Sequence, residues 1–216
     1  MLEPESFQAT YNAEPAEMVI GGRTYRIFTP RSIERYLYDG GTLNGFPLWA
    51  KVWPASLVLA EMLAGTPPDP RREMIEIGGG LGHVSVVAAA CGHRITFSET
   101  NPHALAFARA SAQLNGVPQM HVVRLDWSRP SIPRQFDLVL GSELIYREAD
   151  ILPLQRLFVR LLKPEGEILL AGEVRGTTDA FLRQITESFH VQFQRRSLCY
   201  GPQSTTVLVF RMQLKS

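Results

Sequence analysis

Cysteine is almost missing from this sequence. Cys91 and Cys199 are the two among 216 residues, far apart and next to neither a CxxC nor a ligand-spaced histidine, which argues against a disulfide or zinc framework and suits the cytoplasm. No run of eighteen apolar residues occurs, and Glu3 and Glu5 stand where a secretion signal would carry a basic segment before an apolar one. Neither a membrane span nor a leader is expected. An excess of one charge is also lacking: 22 Lys and Arg face 21 Asp and Glu, with no dense basic stretch to track phosphates, so nucleic acid is not an expected partner. The histidines at 83, 93, 103, 121 and 190 lack an HExxH spacing and fall on different expected elements, so no metal site is expected. GxSxG is absent around Ser85, which weakens a hydrolase reading.

The composition that remains is ordinary for a globular protein, 45% apolar and 20% charged, and at this length it fits one compact domain with a short extension. Gly21-Gly22 separates two β-branched and aromatic segments within Met18–Phe28, the pattern of a hairpin with a two-residue turn. Helical spacing from Pro54 to Leu63 ends at the proline-rich Thr66–Pro70, a linker pattern. Residues 1–71 therefore read as an extension of hairpin and helix, and 72–216 as the core.

Within the core the pattern alternates: strand Met74–Ile77, helix His83–Cys91, strand Arg94–Ser98, helix Pro102–Asn115, strand His121–Leu125, strand Phe136–Leu140, helix Ile151–Leu162 and strand Glu167–Ala171. Such alternation implies an α/β fold, a mostly parallel sheet covered by helices. A helix from about Thr178 to Glu187 precedes two strands, His190–Cys199 and Thr205–Gln213, joined by a Tyr200-Gly-Pro-Gln turn, hence an antiparallel closing pair.

Glu76-Ile-Gly-Gly-Gly-Leu-Gly82 joins the first core strand to its helix, where α/β sheets place ligands beyond the carboxyl ends of their strands. Glycines at 78, 80 and 82 allow close backbone approach. A dinucleotide GxGxxG run would need glycine at 83 or 85, where His83 and Ser85 stand, and no Gly-Lys-Ser or Gly-Lys-Thr completes a phosphate loop. Glu99 ends the second strand about 20 residues on, the position from which a carboxylate reaches ribose hydroxyls. Asp126, followed by Trp127, ends the third.

The acidic-x-GxGxG run resembles the first motif of the seven-strand S-adenosylmethionine methyltransferases. The fourth strand runs into Phe136-Asp-Leu-Val-Leu-Gly-Ser-Glu-Leu-Ile-Tyr146, and with Pro47-Leu-Trp-Ala-Lys-Val-Trp-Pro54 and Leu125-Asp-Trp127 it resembles methyltransferase family 16, small protein-lysine methyltransferases whose substrates include chaperones and elongation factors. The resemblance covers residues 47–172 and implies a Rossmann-like seven-stranded sheet with helices on both faces. It implies S-adenosylmethionine as cofactor, held by Trp53 (Trp49 as second choice), Glu76, Gly78, Gly80, Gly82, Glu99, Asp126, Trp127 and Ser142. In the same family an acidic-x-x-aromatic motif lines the acceptor channel; it maps onto Glu143 and Tyr146, with Glu143 one methylene longer than the usual aspartate. A protein lysine is the implied acceptor. The segment also resembles bacterial nicotinamide N-methyltransferase-like chains, and a small-molecule acceptor, a nicotinamide-dependent oxidoreductase and a non-catalytic module on the same fold stay open.

Overall fold

A computed structural model describes residues 3–37, 46–200 and 203–215. It contains a two-stranded hairpin and a seven-stranded sheet. The hairpin pairs β1 (Ala13–Ile20) with β2 (Arg23–Pro30), Ile20 opposite Arg23 across the Gly21-Gly22 turn. Ahead of it stands α1 (Pro4–Tyr11), which the sequence pattern did not suggest. It has one buried residue, Phe7, too little for a periodicity. Its local signals were Pro4 at the first helical position and Glu5 in the first turn.

The sheet comprises β3 (Glu73–Ile77), β4 (Arg94–Glu99), β5 (His121–Arg124), β6 (Phe136–Ser142), β7 (Leu162–Glu173), β8 (Phe189–Tyr200) and β9 (Gln203–Leu214), in the order β5-β4-β3-β6-β7-β9-β8. The first five run parallel, and β9 is antiparallel to both β7 and β8, as the alternation followed by two consecutive strands implied. Gly201 and Pro202, from the expected closing turn, lie outside the described residues, as does the Cys199 side chain.

Alternate side chains on the central strands point to opposite layers. Met74, Leu138 and Leu169 pack with α2 (Pro54–Ala64) and α3 (His83–Ala90). Ile75, Val139 and Ile168 pack with α5 (Ile151–Leu161) and α6 (Thr178–Ile185). β7 begins earlier than Glu167 because its register with β6 jumps from Leu162 opposite Phe136 to Glu167 opposite Leu138; Pro164, which has no N–H for the ladder, sits inside that irregularity. No helix among the described residues is long and apolar enough to cross a membrane.

The hairpin is latched to α4 (Pro102–Leu114). Phe28 N–H donates to Ser111 Oγ at 2.9 Å, and Asn115 receives Arg26 N–H at 3.1 Å while donating to Arg26 C=O at 2.6 Å. Phe7, Phe28, Tyr36 and Phe107 close over this contact in one apolar cluster. Ser111→Ala strands a buried N–H, so it should cost about 1–3 kcal/mol, read as a lowered denaturant midpoint with unchanged slope; an unchanged midpoint would show that the latch carries no stability.

Candidate active site

A cavity of about 240 Å³ opens at the carboxyl ends of the parallel strands. Its centre lies beside β3 and β6, neighbouring strands whose connections leave in opposite directions, the switch point where such sheets bind ligands. The floor is the loop between β3 and α3. Gly79 N–H donates to Ser98 C=O at 3.1 Å, and Ser98 Oγ donates to Glu76 C=O at 2.7 Å, which ties the loop to β4. At Gly80 φ is +55° and an added Cβ would stand 3.0 Å from the Trp49 carbonyl oxygen. A side chain there would be strained and would collide with the wall opposite.

Glu76 points into the layer beneath this loop and is fully buried. One carboxyl oxygen accepts from Ser85 N–H at 3.1 Å and in a short bond from Ser85 Oγ–H; the other has no partner. Burial pushes its pKa up to about 8, against the Ser85 bonds that lower it. Glu99 also sits low, at the end of β4. It accepts from Gly80 N–H at 3.2 Å, Thr100 N–H at 2.6 Å and Asn101 N–H at 3.3 Å. Burial raises its pKa and these donors oppose that. His83, in the first turn of α3, lines the cavity; burial alone holds its pKa down at about 4, so its imidazole is neutral at pH 7.

The opposite wall comes from the end of β6. Glu143 has φ +52°, a left-handed conformation that costs a side chain such as this about 1 kcal/mol or more. Its N–H donates to Ala171 C=O at 2.9 Å, which continues the β6–β7 pairing for one residue while the chain turns. The side chain is thereby folded back under β7. One carboxyl oxygen accepts from Glu173 N–H at 2.8 Å and the other meets Arg175 Nη2 at 2.5 Å. Burial raises the Glu143 pKa, opposed first by the Arg175 guanidinium. That guanidinium lies over the Tyr146 ring at 4.6 Å and the Trp53 ring at 5.5 Å, and Lys51 Nζ stands 4.2 Å from the Trp53 ring. The two rings meet edge to face at 5.9 Å, and burial raises the Tyr146 pKa strongly.

Of the residues singled out in the sequence, Trp53, Gly78, Gly80, Glu99, Trp127, Ser142, Glu143 and Tyr146 line this one cavity, with Trp49 beside them. Glu76 lies behind the loop, and Gly82 packs against Ala108 at the start of α3. Asp126 turns to its own strand end, accepting from Ser128 N–H at 2.9 Å and Ser128 Oγ at 2.6 Å. Two residues that sequence reasoning passed over are Lys51 and Arg175. Both had a positional signal: Lys51 lies between the two tryptophans of the upstream motif, and Arg175 follows the carboxyl end of the fifth parallel strand.

Over residues 45–188 the sequence matches the family described as lysine methyltransferase. A 107-residue stretch is 35% identical to histone-arginine methyltransferase METTL23 of Mus musculus, covering 46% of this chain and 42% of that protein. Over 155 residues it is 31% identical to EEF1A lysine methyltransferase 3 of Mus musculus, covering 68% of this chain and 66% of that protein. The matched stretch spans about half the length of the first curated relatives, 42% and 47%. Among solved structures, the glycopeptide N-methyltransferase MtfA complexed with S-adenosyl-L-homocysteine shares the fold, with a TM-score of 0.61 at 15% identity over 74% of this chain and 90% of that one.

The buried Glu76 sets a pH dependence of stability. Its folded pKa, about 8, lies above the ordinary carboxylate range, so between those values the folded state holds a proton that the unfolded state has lost, and stability falls as pH rises through that window. The sum is on the order of 5 kcal/mol. Melting of the wild type should drop between pH 5 and pH 9 on the order of 10 °C further than that of Glu76→Gln; parallel curves would place the ionised carboxylate in the folded protein.

Proposed function

The chain belongs to the lysine methyltransferase family, and on that premise we propose that it transfers a methyl group from S-adenosylmethionine to a lysine side chain of a protein. One observation carries the reading: the glycine loop and the Glu143–Tyr146 pair, far apart in sequence, open into a single cavity at the switch point of the sheet. The groups present fit an adenosyl sulfonium. The loop backbone at Gly78–Gly80 faces the cavity with no room for a side chain at Gly80. Glu99 uses three acceptor positions on backbone N–H groups and keeps capacity for a hydroxyl. Trp127 and Gly78 border a small adjoining recess of about 30 Å³ next to Glu99, lined mainly by apolar side chains, where the edge of a base could begin to lodge. Glu76, in this proposal, holds the loop's shape from below and does not touch the ligand. Gly82 and Asp126 take the same supporting part at the start of α3 and the end of β5.

S-adenosylmethionine, when bound, supplies a methyl group on a sulfonium for in-line displacement by an acceptor lone pair. The chain's own task is alignment and exclusion of water. Trp53 and Tyr146, in contact with each other, offer an aromatic wall along which an alkylamine would lie, and Ser142 and Glu143 turn polar atoms to the same end of the cavity. Both Glu143 oxygens are engaged, so its proposed part is to orient and not to take a proton. We place the enzyme in the cytoplasm, a reading supported by the free thiol at Cys91. An arginine acceptor is the second reading, because of the histone-arginine methyltransferase relatives.

Incubating the protein with tritiated S-adenosylmethionine and lysate protein, then hydrolysing in acid, should yield labelled methyl-lysine; methyl-arginine would select the second reading, and no labelled amino acid would sink both. Gly80→Arg should abolish calorimetric binding of S-adenosylmethionine. Glu143→Gln should leave that affinity within about threefold and, by loosening the alignment of the acceptor, lower turnover about a hundredfold. Equal loss of binding in both variants would refute the division of roles.

A further inference from the structure

Arg175 stands directly behind the wall of the proposed acceptor position, in contact with Glu143, Tyr146 and Trp53 of that wall, and it is held from three sides. Its guanidinium meets Glu143 at 2.5 Å and lies over both Tyr146 and Trp53. Its loop is fixed by Arg175 N–H donating to Thr178 Oγ1 at 2.9 Å and by Thr178 N–H donating to Arg175 C=O at 3.0 Å. The seats that an alkylammonium would use, a carboxylate and two aromatic faces, are thus taken by the protein's own cations, since Lys51 covers the Trp53 ring as well.

The charges around this end of the cavity come from three segments. The one after β6 brings Glu143 and Tyr146, with Arg147 paired to Asp150 at 2.7 Å. The end of β7 brings Glu173, the turn after it Arg175, and the upstream segment Lys51. Three cations face three carboxylates, so there is no net negative charge to hold an ammonium. Without Arg175, one carboxylate would be left over, facing the acceptor.

We infer that Arg175 is a specificity-determining residue that bars the charged ammonium from the acceptor position and admits the neutral amine. The inference rests on the lysine reading above. An ammonium has no lone pair, and at pH 7 on the order of one free lysine in a thousand is neutral. A nearby like charge favours the neutral form, whereas an opposite charge would hold the ammonium. The proton leaves to water as the side chain enters. The amine lone pair then forms the new N–C bond while the C–S bond pair departs with sulfur, and the nitrogen is left as a methylammonium that returns its extra proton to water.

The test is the rate of methyl-lysine formation on heat-treated lysate protein with tritiated S-adenosylmethionine, from pH 6.5 to pH 10, for the wild type, Arg175→Gln and Arg175→Lys, with calorimetric titration of the same cofactor. Arg175→Gln should bind the cofactor within about threefold. Its rate–pH curve should move up by about one unit, a loss of about tenfold at pH 7 that narrows as pH approaches 10. Arg175→Lys, which keeps the charge, should move by less than half as much. A loss by the same factor at every pH would reduce Arg175 to a structural prop. A gain at every pH would make it a plug that the acceptor displaces, and either result overturns the inference. Wild-type protein that yields no methyl-lysine would overturn the lysine reading and this inference together, whereas methyl-lysine with parallel curves overturns the inference alone.

Discussion

The loop from Gly78 to Gly82 has no space of its own. Seen from Gly79, an added Cβ would run into the Phe97 ring and stand 2.9 Å from the Glu76 carboxyl carbon, and at Gly80 it would meet the Trp49 carbonyl. The loop is therefore a sheet of bare backbone held between β4 below and the upstream segment above. Everything else at the cavity is placed relative to it: Glu99 through Gly80 N–H, Ser85 through Glu76, and the two tryptophans through residues 46–53. A buried carboxyl under such a loop is costly when ionised, and Ser85 answers only one of its oxygens. The arrangement works because the neutral form is the one that suits the site.

The acceptor side is built on a different constraint, a backbone turn. Glu143 gives up a comfortable conformation so that its carboxylate folds beneath β7, and the ion pair of this buried carboxylate with the half-buried Arg175 offsets part of that strain. Two cations and two aromatic rings then share a small volume. Neither side of the cavity depends on the other for its internal bonds, which is why binding of the proposed cofactor and choice of acceptor can be assigned to separate residues.

How much of this was readable from the chain depends on whether the signal was local. The sheet was legible because its central strands carry apolar runs, and the change from alternation of strand and helix to two consecutive strands marked the antiparallel edge. The loop was legible because glycine spacing is chemistry. Glu143 and Tyr146 were picked out through a motif, but not what they touch: Arg175 arrives from another strand end 32 positions beyond Glu143, marked only by its place after the fifth parallel strand. The fate of Glu76 was hidden for a related reason. A carboxylate at a strand end reads the same whether it faces a ligand or the helix beneath, and here strand parity turned it toward Ser85. The short helix before the hairpin was missed because one buried phenylalanine makes no pattern.

One wall of the cavity is made by chain that precedes the sheet. Residues 46–53 are anchored on one flank by the hairpin bolted to α4 and on the other by α2, which is clamped between α3 and β7. The protein thus wears its upstream sequence as a belt with two buckles. Trp49 and Ala50 line the inside of that belt, in one apolar cluster with Leu81, Phe97 and Phe107, while Trp53 lies on its cavity edge, so the same eight residues are lining and hem at once.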